Sequence, residues 1–284
     1  MQRPDFIEVS RGSAPLLVSI PHTGLDIPSD VETDLASLWL ARKDTDWWIE
    51  RLYDFAAGLG ATIVHTKISR TMIDVNRDPS GASLYPGQPT TSLCPTETFD
   101  GEPLYRAGRE PNAAEIDRRR KEYFEPYHAA LATELARLRQ SHPRIVLYDC
   151  HSIRSNVPRL FEGTLPHMNI GTNDGRSCHP KLRRAIEAIC AASPFSWVSN
   201  GRFKGGWITR NYGRPEDGVH AVQMELACRA YMAEPAEVNE ANWPAAFDDG
   251  FAEPMRHVAK QVIETCIRSA LALRSARQAP IVTT

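Results

Sequence analysis

The chain has 284 residues, 42% hydrophobic and 24% charged, which is ordinary usage for a folded protein and excludes wholesale disorder. Its 33 Lys and Arg against 35 Asp and Glu leave a formal charge of −2, which argues against a nucleic-acid binder. Six cysteines without a C-x-x-C pair make neither a disulfide framework nor a zinc ribbon, and suggest a reducing compartment.

At roughly 150 residues per domain, the length suits two domains or one large α/β domain. No Gly/Ser-rich or charge-run linker divides it, so one domain over 1–284 is expected, with a core from about 14 to 275. No stretch reaches the ~18 apolar residues of a membrane span. Arg3, Asp5, Glu8 and Arg11 break up the first 13 residues, which excludes a signal-peptide core. A cytoplasmic protein without membrane or nucleic-acid partners is expected; the oligomeric state stays open.

In chain order, Pro15 to Ile20 is a short apolar run, suited to a strand buried on both faces, and ends at Pro21-His22-Thr23-Gly24. From Asp46 to Gly60 the spacing of Trp48, Leu52, Phe55 and Leu59 predicts a helix stopped by the glycine. Ala61 to Thr66 reads as a second strand, and Thr71 to Val75 as a third or a continuation. Arg77 to Glu110 is rich in Pro, Gly, Ser and Thr, and Tyr85, Leu93, Phe99, Leu104 and Tyr105 could anchor it as a lid.

Asn112 to Gln140 predicts a long helix kinked near Pro126. Ile145 to Tyr148 is another buried strand, closed by Asp149-Cys150-His151-Ser152. A second loop from Asn156 to Gly175 precedes a helix near Pro180 to Ala192 and a strand near Phe195 to Val198. Then follow a glycine turn at Lys204-Gly205-Gly206, a strand from Val219 to Leu226, a helix from Glu253 to Ala276 and a frayed end from Gln278. Strands alternating with helices predict an α/β fold around a mixed, mostly parallel sheet in three layers.

Open sheets of this kind bind ligands beyond the carboxyl ends of their strands. Three strand ends carry residues suited to metal chemistry: His22, then Asp149 with His151, then Glu225. Asp44 and Asp46 begin the predicted helix after the first strand, where a carboxylate also suits the helix dipole or a cap. Two imidazoles and a carboxylate suffice for a catalytic zinc site with one position left for water.

Six short motifs occur in order between about Leu16 and Met232: Pro21-His22-Thr23-Gly24, Asp44-Thr45-Asp46-Trp47, Ser69-Arg70 with Asp74-Val75-Asn76-Arg77, Asp149-Cys150-His151-Ser152, Phe203 to Arg210, and Gln223-Met224-Glu225-Leu226. Together they resemble the N-formylglutamate amidohydrolase family. The resemblance implies a zinc-carboxypeptidase-like fold, hydrolysis of N-formyl-L-glutamate to formate and L-glutamate, and a place at the end of a histidine degradation route. It implies Zn²⁺, or another divalent transition metal, on His22 and His151. The acidic ligand of the wider pattern lies three residues after the first His, where this chain has Leu25. Asp46 takes that part here, with Asp44 as the alternative. Glu225 sits where the pattern has its general base, and Asn76-Arg77 resembles its pair that grips a substrate carboxylate.

Elementary chemistry suits these roles. A substrate with two carboxylates needs two cationic clamps, for which Arg77 and Arg210 are the candidates. Arg70 is a candidate for stabilising the oxyanion, and Gly205 with Gly206 would let backbone approach the ligand. Cys150 beside His151 is not a thiol pair, because neighbours on a strand face opposite ways. Arg118-Arg119-Arg120-Lys121 reads as a solvated helix face, Trp47 and Trp48 as core, and the remaining histidines as structural or exposed. Two other functions remain open: an amidohydrolase or carboxypeptidase of other N-acyl amino acids, and a non-catalytic binder of acidic amino acids.

Overall fold

In a computed structural model that describes residues 4–84, 87 and 90–272, seven strands make one sheet. They are β1 (Ile7–Ser10), β2 (Leu16–Ile20), β3 (Thr62–Thr66), β4 (Ile145–Ile153), β5 (Met168–Gly171), β6 (Trp197–Ser199) and β7 (Val219–Ala227). The order across the sheet is β1-β3-β2-β4-β7-β5-β6. β3, β2, β4 and β7 are mutually parallel and β5 is parallel to β6, whereas β1 meets β3 and β5 meets β7 antiparallel. This is the mixed, mostly parallel α/β sheet expected.

Helices cover both faces. β2 and β4 are buried along their whole lengths, and their apolar side chains divide by parity as a period of two requires. Leu16, Val18, Ile20, Val146, Tyr148 and Cys150 pack with α7 (Pro180–Ala192) and α9 (Asp249–Ala272). Leu17, Ile145 and Leu147 turn the other way, onto Tyr127, Leu131, Leu135 and Leu138 of α6 (Glu125–Arg139). On that second face the apolar residues stop at Leu147 and Ala221; Asp149, His151, Gln223 and Glu225 carry the same parity onward. The sheet thus carries a row of polar groups in the carboxyl halves of β4 and β7.

Several local readings need correction. Asp46–Gly60 is not one helix: α3 (Ile49–Leu52) and α4 (Phe55–Gly58) are separate turns, and Trp48 before them has φ 66. That left-handed backbone disfavours any L residue, and the Trp48 indole N–H bonded to Ala245 O at 2.9 Å helps hold it. Thr71–Val75 forms turns, not a strand, and the loop from Asn156 to Gly175 contains β5. β1, α1 (Ser29–Glu32), α2 (Leu38–Lys43) and α8 (Trp207–Tyr212) carry too few residues for a periodic signal.

The long helix is α5 (Ala113–Arg119) running through a π turn at Arg120–Phe124 into α6, with Pro126 in the first turn of α6. Arg119 is not solvated: it is 2% exposed and donates to Met72 O and Tyr105 Oη. Leu93, Phe99, Leu104 and Tyr105 are buried, so the segment after residue 90 is folded down; Tyr85 and everything beyond Ala272 lie outside the described residues. All six cysteines are free and buried.

Candidate active site

His22 follows β2, His151 lies in β4, and Asp46 enters from the turn before α3. His22 and His151 have ring centroids 4.8 Å apart. Asp46 Oδ2 is 3.1 Å from His151 Nδ1 and 3.6 Å from His22 Nδ1. The opposite edge of each ring meets a second carboxylate: His22 Nε2 donates to Asp74 Oδ1 at 2.7 Å, and His151 Nε2 to Asp149 Oδ2 at 2.9 Å. With Nε2 of each ring against a carboxylate, and Asn76 Nδ2 also 2.9 Å from His151 Nε2, both Nδ1 atoms face one oxygen of Asp46.

Three electron-rich atoms facing one point need a proton or a cation between them. Burial opposes a charge on His151, but Asp149 and Asp46 outweigh it and raise its imidazolium well above the usual range. His22 Nδ1 is buried without a hydrogen-bond partner. The three residues can offer ligand atoms within 4.8 Å of one another, and His₂-carboxylate is a common zinc donor set. With Asp74 and Asp149 on the outer imidazole edges, the group fits a divalent metal.

Arg70 braces the acidic side, with Nη1 3.2 Å from Asp46 Oδ1 and Nη2 2.8 Å from Asp74 Oδ2. Its guanidinium lies 4.8 Å over the Phe99 ring. Burial works against ionising Asp74, but Arg77, His22 and Arg70 hold its carboxyl well below the carboxylate range. Asp46 is likewise lowered, against its burial, by His22, His151 and Arg70. Asp44 stands outside this group: its carboxylate accepts from Phe99 N at 2.6 Å and faces Arg154 at 3.4 Å.

β7 is parallel to β4 with Glu225 opposite His151 and Gln223 opposite Asp149. Burial, with Asp46 and Asp149 adding to it against His151 and Arg70, pushes the Glu225 carboxyl up to about 7. Gln223 Nε2 donates to Glu225 Oε2 at 3.0 Å, and Gly206 N donates to Gln223 Oε1 at 2.7 Å. One cavity is lined by His22, His151, Glu225 and three arginines, Arg70, Arg77 and Arg202. Phe99, Ile153, Leu160 and Phe203 supply apolar wall.

A basic, partly apolar cavity with a candidate metal triad and a raised carboxyl is suited to hydrolysing a small anionic amide. Residues 14–232 match the family model for N-formylglutamate amidohydrolase. The chain belongs to the N-formylglutamate amidohydrolase family. It is similar to the N-formylglutamate deformylases of Pseudomonas aeruginosa and Pseudomonas putida, at 46% identity over 264 residues and 43% over 258. The matches cover 93% and 90% of this chain and 96% and 94% of those proteins.

Among solved structures, an N-formylglutamate amidohydrolase from Ralstonia eutropha JMP134 superposes with a TM-score of 0.73 at 24% identity, covering 96% of this chain and 99% of that one. A gene product of Agrobacterium tumefaciens gives 0.68 at 16%, covering 94% and 96%. At these identities the likeness speaks for the fold.

The residues named from sequence fall into three groups. His22, Asp46, His151, Glu225, Arg70 and Arg77 converge. Asn76 and Gly206 reach the cavity wall and are also tied within the protein: Asn76 Nδ2 donates to Asp149 Oδ2 at 3.1 Å, and its Oδ1 accepts from Ile208 N at 2.7 Å. Arg210 and Gly205 are not among the lining residues; Arg210 Nε donates to Gly205 O at 2.8 Å. Sequence reasoning gave no role to Asp74 and Gln223, which stand in two of the six motifs, and missed Arg202. Gln223 had a signal, standing two residues before Glu225 and so on the same strand face, whereas nothing local marks Arg202.

Proposed function

We propose that this chain hydrolyses N-formyl-L-glutamate to formate and L-glutamate, as the closing step of a histidine degradation route in the cytoplasm. The whole chain, 1–284, would act as one catalytic domain. The convergence of His22 Nδ1, His151 Nδ1 and an Asp46 oxygen beside Glu225 carries the reading. These three would hold Zn²⁺ or another divalent transition metal. When bound, such an ion lowers the pKa of a water to ~7 and polarises the scissile carbonyl.

The chain's own groups supply the remainder. Glu225 accepts the proton of the attacking water and passes it to the departing amine, a task suited to a carboxyl raised to about 7. Arg77 and Arg202, on the same cavity wall, clamp the two substrate carboxylates. Arg70, held by Asp46 and Asp74, presents fixed positive charge towards the developing oxyanion. Phe99 and the other apolar side chains keep bulk water from the reacting amide.

The test is formate release from N-formyl-L-glutamate, measured with the metal content. Activity lost to a chelator and restored by zinc, with one equivalent bound, is expected. Full activity in metal-free protein would overturn the metal-dependent reading, and glutamate binding without turnover in the metal-loaded chain would favour a binder. Poor turnover of N-acetyl- and N-succinyl-glutamate is expected; comparable kcat/KM on them would widen the substrate class.

A further inference from the structure

We propose that Gln223 is a positioning residue for Glu225, pinning Oε2 so that Oε1 is the oxygen that takes and returns the proton. The inference rests on the reading of Glu225 as the base. Its first support is the unambiguous orientation of the Gln223 amide. Gly206 N–H can only donate, and it lies 2.7 Å from Oε1 of Gln223, so Nε2 must be the end facing Glu225 Oε2 at 3.0 Å. A buried carboxylate held on one oxygen cannot rotate freely, and presents the other in one direction.

The second support is what the chain commits to bring Gly206 there. A Cβ on Gly171, which pairs with Gln223 across β5 and β7, would lie 2.6 Å from Gly205 N. A Cβ on Gly206 would lie 2.4 Å from Asn76 Nδ2. Only side-chain-free positions let the 204–206 turn lie against the sheet and under Asn76. Asn76 in turn donates to Asp149, which holds His151. The backbone from Gly206 to Ile208 therefore links the support of Glu225, through Gly206 N, to the support of an imidazole, through Ile208 N on Asn76 Oδ1.

Gln223→Met keeps the volume and removes the donor. The expected result is kcat lower by about 10- to 100-fold, with KM within threefold and the metal content unchanged, and a lower Tm because Gly206 N–H loses its acceptor as well. In a Glu225→Gln background the same change should add less than twofold, because the carboxylate it positions is gone. Should Gln223→Met lose fold or metal, the side-chain NH₂ resonance of Gln223 decides the matter by itself. A folded, metal-loaded variant with kcat within threefold of the parent, or an equal loss in both backgrounds, overturns the proposal. The parent enzyme gives an independent reading: the Gln223 side-chain NH₂ resonance should move on Glu225→Gln, and a stationary resonance also overturns it. Failure of the base reading is separate, since Glu225→Gln would then keep its kcat.

Discussion

His22 and His151 face each other at the carboxyl edge of the sheet, with ring centroids 4.8 Å apart and both Nδ1 atoms directed at Asp46 Oδ2. Their Nε2 atoms are each tied to a different carboxylate, Asp74 or Asp149. Each ring is thereby oriented from behind, by residues that never reach the shared point.

This arrangement separates two kinds of metal-site mutant. Replacing His22, His151 or Asp46 by Ala should abolish stoichiometric metal binding, because three donors cannot become two without opening the site. Asp74→Asn and Asp149→Asn keep the donors and weaken their orientation, which should cost about 10- to 100-fold in affinity. Competition with a chromophoric chelator measures both; an unchanged affinity in Asp149→Asn would show that His151 needs no brace.

The proton on His151 should compete with the metal. Its folded, metal-free pKa is raised by Asp149 and Asp46 despite burial, so near neutral pH the imidazolium must lose a proton before Nδ1 can donate to a cation. Apparent affinity should rise with pH by about tenfold per unit until the imidazole is neutral. The same chelator competition between pH 6 and 8, with release of one proton seen by calorimetry in buffers of different ionisation enthalpy, checks the sign. A flat profile would contradict it.

Glu225→Gln should lower kcat by about 10²- to 10⁴-fold while leaving bound metal and KM little changed. A base must be deprotonated to act. With its carboxyl raised towards 7, kcat/KM of the parent should fall on the acid side well above the ordinary carboxylate range. That limb should vanish in the residual activity of the Gln variant. Near-parent kcat in a metal-loaded Glu225→Gln would remove Glu225 from the chemistry.

The arginines should differ by where they point. Arg77→Lys and Arg202→Lys each replace a planar fork by a point charge, and should raise KM by about 10- to 100-fold, the worth of a charge-assisted hydrogen bond. Arg210→Lys should raise KM less than threefold, since Arg210 is not on the wall of that cavity. Steady-state kinetics on the three variants distinguish these expectations.

Much of this was readable along the chain because burial imposes short periods. β2, β4 and β7 stand out as apolar runs, since a strand covered on both faces can carry few polar residues, and His22, His151 and Glu225 stand at or near their carboxyl ends. The same period of two separates Cys150 from His151: Cys150 lies in the core under α7 and α9, and burial raises its thiol. Asp149 and Gln223, two positions before His151 and Glu225, follow from that parity as well.

Other decisions were tertiary. Asp46 and Asp44 are two residues apart in similar surroundings, yet one carboxylate meets His151 and Ser152 N while the other meets Phe99 N and Arg154. Arg202 and Arg210 both flank the glycine turn and each donates Nε to a backbone carbonyl, Leu160 O or Gly205 O, yet only the first lines the cavity. Hydrophobic periodicity is a local property, set by which face of a segment is dry. A polar side chain's partner can lie 105 to 110 residues away, as for Asp46 and Asp44 here, and no pattern in its own neighbourhood records which one it meets.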